Sequence, residues 1–110
     1  MGQSVLNVTG LPTAPLDAAA AFHAEHLPRA RAALAEADAL AVLFEPGGPE
    51  HRGWRLAAVR ELAREAAPKR VNAIATTDDD ASAEVLAYLE SAPGITGQLL
   101  AVDGKSGGKG

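Results

Sequence analysis

The sequence predicts an α/β domain in three layers: a four-stranded, mainly parallel sheet with about three helices, half of a doubly wound fold. Three observations predict it. Short apolar, β-branched runs alternate with longer amphipathic ones in the order β-α-β-α-β-α-β. One run, Ala39 to Phe44 (ALAVLF), is apolar at every position, as a parallel strand covered on both faces must be. The chain of 110 residues is 47% apolar yet has only 4% aromatics (Phe22, Phe44, Trp54 and Tyr88), so its core is alanine, leucine and valine. Side chains that small suit helices packed closely on a sheet.

The elements follow in order. Ser4 to Thr9 (SVLNVT), closed by Gly10, reads as the first strand. Leu11 to Leu16 is a loop, and the Asp17 carboxylate is placed to cap the helix Ala18 to Ala35. Pro28 lies inside that helix and should kink it or divide it in two. Ala39 to Phe44 is the second strand, and Glu45 to Gly53 (EPGGPEHRG) is the loop at its C-terminal end. The helix Trp54 to Ala67 sets Leu56, Val59, Leu62, Ala63 and Ala66 on one stripe; Arg55, Arg60, Glu61, Arg64 and Glu65 read as its solvated face. Pro68 stops it. Arg70 to Ala75 (RVNAIA) is the third strand. Thr77 to Asp80 opens a helix Ala81 to Ser91 with Val85, Leu86 and Leu89 inward. Ile95 to Val102 (ITGQLLAV) is the fourth strand, and one domain over residues 1–103 leaves 104–110 as a flexible polar tail. Short connections between alternating elements predict right-handed crossovers.

Composition excludes several functions. With 14 acidic against 10 basic residues the net charge is -4, which disfavours nucleic acid and anionic membrane surfaces. The absence of cysteine removes disulfides, thiolate nucleophiles and cysteine-type zinc sites. No apolar run approaches the ~20 residues that span a bilayer, and MGQSVLNVTG has no signal pattern, so a cytoplasmic protein is expected.

The residues also resemble a family. ITGQLLAVDG is similar to the closing strand of short-chain dehydrogenases/reductases, whose usual form is close to ITGQ-x-L-x-VDGG. ELAREAAPKRVNAIA resembles the end of a helix and the sixth strand of that family, Leu27-Pro28 a pair common in its preceding helix, and SVLNVTG its Asn-Asn-Ala-Gly strand. Val5 to Gly104 thus resembles the C-terminal half of such a reductase, which makes the chain similar to a truncated, degenerate member with a Rossmann-like fold. It is similar to the flavodoxin-like N-terminal domain of high-molecular-weight 3-oxoacyl-ACP reductases.

The departures from the family pattern bear on chemistry. The glycine-rich dinucleotide fingerprint has no counterpart, so neither cofactor-binding residues nor a cofactor are expected. Glu45-Pro46 stands where the catalytic serine belongs. Counting back from Leu62, the Tyr-x-x-x-Lys pair falls on Gly48 and Arg52. Glycine has no phenol to donate a proton, and arginine does not replace lysine beside one. Thr76-Thr77 replaces the Pro-Gly that touches nicotinamide. The resemblance therefore implies a chain without catalytic residues.

Other chemistry-bearing residues read more plainly. His23 and His26 share a helix face but lack a further ligand, so no metal site is expected. His51 beside Glu50 reads as ordinary loop polarity. Asp78, Asp79 and Asp80 could hold Mg²⁺ through water, but capping and the helix dipole explain them better. Gly47-Gly48 reads as a turn. Gly104-Lys105-Ser106 lacks the preceding glycine and following helix of a phosphate loop.

Two functions remain. The first is a non-catalytic protein acting through oligomerisation, as a homodimer or a partner of a full-length reductase. The resemblance implies that the two long helices form its interface, with Phe22, His26, Trp54, Arg55, Val59 and Leu62 the candidate residues. Trp54 serves equally as core filler or interface anchor. The first strand would become an exposed edge, and one sheet face would lack the helices that cover it in the family. The second is a small ligand-binding or oxidoreductase-related module using the crevice at the C-terminal strand ends, lined by Glu45, Glu50, His51, Thr76, Thr77 and Asp78.

Overall fold

A computed structural model describes residues 2–76 and 78–101; Thr77, Val102 and the expected tail at 104–110 lie outside the described residues. The chain forms β1 (Gln3–Val8), α1 (Pro15–Ala21), a π-helical turn Phe22–His26 and α2 (Leu27–Glu36). There follow β2 (Ala39–Phe44), a 3-10 turn Pro49–His51, α3 (Arg52–Ala66), β3 (Arg70–Ala75), α4 (Asp79–Glu90) and β4 (Leu99–Ala101). The four strands lie in the order β1-β2-β3-β4, and every pair is parallel. The expected sheet and order are present, and because α1, the π-helical turn and α2 run on without a break from Pro15 to Glu36, three helical units connect the strands.

Strand periodicity assigns each residue to a face. Leu6, Val42, Ala73 and Leu99 share one row of the register. They pack with Phe22, Ala30 and Leu34 from the first helical unit and Ala58, Val59, Leu62 and Ala63 from α3. Burying each larger apolar side chain here contributes about 1.5–3 kcal/mol. The other face carries Gln3, Arg70, Asn72 and Ile74, and α4 lies over it: Gln3 Nε2 donates to the Leu86 carbonyl and Arg70 Nη1 to that of Leu89.

The crossovers therefore do not share one hand. The first two step across the sheet over one face, and the third steps the same way over the opposite face. The uniformly right-handed expectation fails at α4. The all-apolar β2 explains why: with α2 and α3 filling one side, Ala39 and Ala41 still need cover on the other.

Helix boundaries moved for local reasons. The first helix begins at Pro15, without a side-chain cap, and Asp17 falls in its first turn. The expected break at Pro28 is a change of helical register. Pro28 has no N–H, and the turn before it widens so that Leu27 N–H bonds Phe22 O. Gly53, read as loop, lies inside α3. Asp78 caps α4, accepting the Ala81 N–H at 2.9 Å. Val85 and Leu86 are half-buried and Leu89 is fully buried beneath that helix.

The fourth strand is shorter than expected. Ile95 to Gln98 is a connection held by side chains: Thr96 Oγ1 accepts the Val71 N–H at 3.0 Å, and Gly97 turns with φ +74°. The hydroxyl and the glycine of the ITGQ run thus hold the entry to β4.

Candidate functional site

Parallel strands direct their C-terminal ends to one rim, and loops there leave a crevice. At the ends of β1 and β2 a cavity of about 310 Å³ is lined by Val8, Leu11, Glu45, Gly47, His51 and Arg55, among others. A separate cavity of about 240 Å³ lies between β2 and the start of α4, with Glu45, Thr76, Asp79 and Ser82 on its walls. The expected crevice is thus divided. Glu45, Glu50 and His51 line the first part, Thr76 and again Glu45 the second, and Asp78 is spent on its cap. Thr77 lies outside the described residues.

Beneath His51 and Arg55 of the first cavity the chain gathers three of its four aromatics. Phe22, Phe44 and Trp54 lie with ring centroids 5.6–5.7 Å apart. Trp54 Nε1–H donates to His51 Nδ1 at 3.0 Å, which places the proton of a neutral His51 on Nε2. His51 Nε2 is 3.9 Å from Glu50, and the ring is buried rather than loop-exposed. Glu45 Oε1 accepts the Gly10 N–H at 3.2 Å.

Arg55 overturns its assignment to a solvated face. It is 8% exposed, and its guanidinium carbon sits 4.6 Å from the Phe44 ring centroid and 5.9 Å from that of Trp54. The signal was in the spacing: Arg55, Ala58, Val59 and Leu62 fall at i, i+3, i+4 and i+7, the buried stripe of α3. Among the described residues no side chain pairs with its charge, and Nε is buried without a hydrogen-bond partner. Burial pushes the guanidinium below its ordinary pKa, and the Glu45 carboxylate opposes that shift. Gly47 makes room for it, because a Cβ there would stand 3.0 Å from Arg55 Nη2.

The other candidates disperse. Phe22, Val59 and Leu62 are core residues of this chain, and Trp54 is half-buried against them. His26 is buried beside Phe22, with Nδ1 accepting from Arg29 Nη1 at 2.7 Å. The six residues assigned to an interface thus face mainly inward, and the outer groove of that layer presents His23, Leu27, Arg31, Glu61 and Glu65. His23 donates to the Ala19 carbonyl at 2.8 Å. Among the described residues no three His, Asp or Glu side chains converge as metal ligands, and no helix is long and apolar enough to cross a membrane. Gly48 precedes the 3-10 turn and Arg52 is exposed at the start of α3.

A family model described as short chain dehydrogenase-like protein matches residues 6–102. Comparison with curated proteins found no match, and comparison with solved structures found none either.

Proposed function

The chain belongs to the short chain dehydrogenase-like family, and from that premise we propose that it is a non-catalytic member acting through association, with a second copy of itself or with a full-length reductase. The observation that carries this reading is the edge formed by β1. That strand pairs with β2 on one side and ends the sheet on the other. Its Val5 is 44% exposed, on the face over which α4 lies. A strand edge that carries an exposed valine is normally paired, covered or charged. Gly48 and Arg52 at the positions matching the family's tyrosine and lysine support the non-catalytic part.

Light scattering after size exclusion tests the association. A mass of twice 11.2 kDa at micromolar concentration, returned to the monomer by Val5→Lys, is the expected result. A monomer that also fails to co-elute with an added full-length short-chain reductase would overturn the reading.

A second reading, a small ligand in the crevice at the ends of β1 and β2, is favoured by one observation: the buried, unpaired Arg55 on the wall of that cavity.

A further inference from the structure

Resting on that second reading, we propose that the cavity binds a small organic carboxylate carrying a hydrogen-bond donor of its own, with the Arg55 guanidinium as its anchor. A buried cation without a partner is costly, and a fold under no other demand would place leucine at such a position. Among the described residues Arg55 is buried without an ion pair and its Nε without a hydrogen bond, yet it is held in place. Phe44 and Trp54 take the face of the guanidinium, and stacking on a ring leaves the N–H edge free for acceptors in its plane. Gly47 lacks the side chain that would crowd that edge. The fork of N–H donors matches the two oxygens of a carboxylate.

The surroundings narrow the class of ligand. About 310 Å³ is the lower end of the range for small-molecule sites, enough for a compact molecule. Val8 and Leu11 provide apolar wall. Glu45 and Glu50 also line the cavity, and their carboxylates repel a dianion such as phosphate more than a monoanion. The same carboxylates accept from a hydroxyl or amino group, so a hydroxy or amino acid meets both halves of the site.

Titration of the ¹⁵N-labelled chain with glycolate, acetate and inorganic phosphate, at ionic strength fixed with chloride, tests this. The signals to follow are the Arg55 Nε–Hε pair and the amides of Gly47, Gly48 and His51. Glycolate is expected to shift all of them saturably, with acetate several-fold weaker and phosphate weaker still. Arg55→Lys, which keeps the charge and loses the fork, should weaken glycolate roughly tenfold. Arg55→Gln should abolish the response with the amide pattern of β3 and β4 intact; if that variant does not fold, the wild-type Nε–Hε shift and Arg55→Lys decide. Saturable shifts at Gly47 and His51 that leave the Arg55 signal in place and survive Arg55→Lys overturn the anchor and leave the crevice reading standing. Phosphate binding more tightly than glycolate overturns the carboxylate assignment. No saturable response to any of the three overturns both.

Discussion

The side chain of Asn72 ties β3 to the entry of β4 through Gln98. Its Oδ1 accepts the Gln98 N–H at 3.0 Å, and its Nδ2 donates to the Ile95 carbonyl at 3.0 Å, with the residue 1% exposed. Asn72→Ala removes both bonds and leaves backbone groups unpaired, a loss of about 2–4 kcal/mol readable in urea unfolding. Asn72→Asp keeps the acceptor but turns a carboxylate toward the Ile95 carbonyl. At neutral pH it should be at least as unstable as the alanine variant; a near-native midpoint would show that the pairing contributes little.

Two glycines should respond in opposite directions. Gly97 has φ +74°, while a Cβ there would meet Ala63 and Arg60 only at 3.8 and 3.9 Å. Gly97→Ala thus costs backbone strain without a clash, about 1–2 kcal/mol. Gly53 lies within α3 with nothing near the added Cβ. Gly53→Ala is expected to stabilise by about 0.5–1 kcal/mol. Thermal melts of the two variants beside the parent check both signs.

These contrasts show where the sequence was legible. The alternation of apolar runs placed all four strands in one parallel sheet, because strand burial follows from composition and length. Gly53 was misread because glycine usually marks a turn, and only packing shows that α3 continues through it. The face taken by α4 was illegible for a similar reason: it depends on how much apolar surface the first two crossovers leave uncovered. Asp78 was legible as a cap, since the role needs only its neighbours. Arg55 was visible in the i, i+3, i+4, i+7 spacing, but its charge outweighed that pattern, and burial of an arginine depends on Phe44, which lies in a distant strand segment.

The cap on α4 is testable alone. Asp78 Oδ1 accepts the Ala81 N–H at 2.9 Å, and Asp79 and Asp80 lie in the first turn. Asp78→Ala should cost about 1 kcal/mol, and Asp78→Asn, which keeps the acceptor, much less. Chemical denaturation of both variants separates the cap from the general effect of negative charge at the helix start.

Arg31 and Glu65 join α2 to α3 through two hydrogen bonds of 2.9 and 2.8 Å. The Arg31 hydrogen bond, reinforced by its charge, holds the Glu65 carboxyl below its ordinary value of 4.5. A depressed carboxyl contributes stability that is present above the unfolded value and is lost as pH falls through the folded one. The native chain should therefore lose stability below about pH 4.5 more steeply than Glu65→Gln. Both side chains are half-exposed, so the difference at neutral pH is small and shrinks in molar salt. Melting temperatures at a series of pH values, with and without added sodium chloride, read it.

Arg55→Met should separate stability from binding. The guanidinium is desolvated with no ion pair among the described residues, and methionine fills a similar volume against Phe44 and Trp54 without that penalty. Loss of the cation–ring contact offsets part of the gain, at about 1 kcal/mol. The net expectation is a chain more stable by about 1 kcal/mol that no longer responds to glycolate. An arginine kept for packing would behave differently, because its replacement would lower the melting temperature by leaving the rings less well covered. Unfolding followed by the fluorescence of Trp54, the chain's single tryptophan, distinguishes the two from the sign of the shift. A stabilised variant that has lost its ligand response would mean that Arg55 is retained at the expense of the fold, as expected of a binding group and not of a structural one.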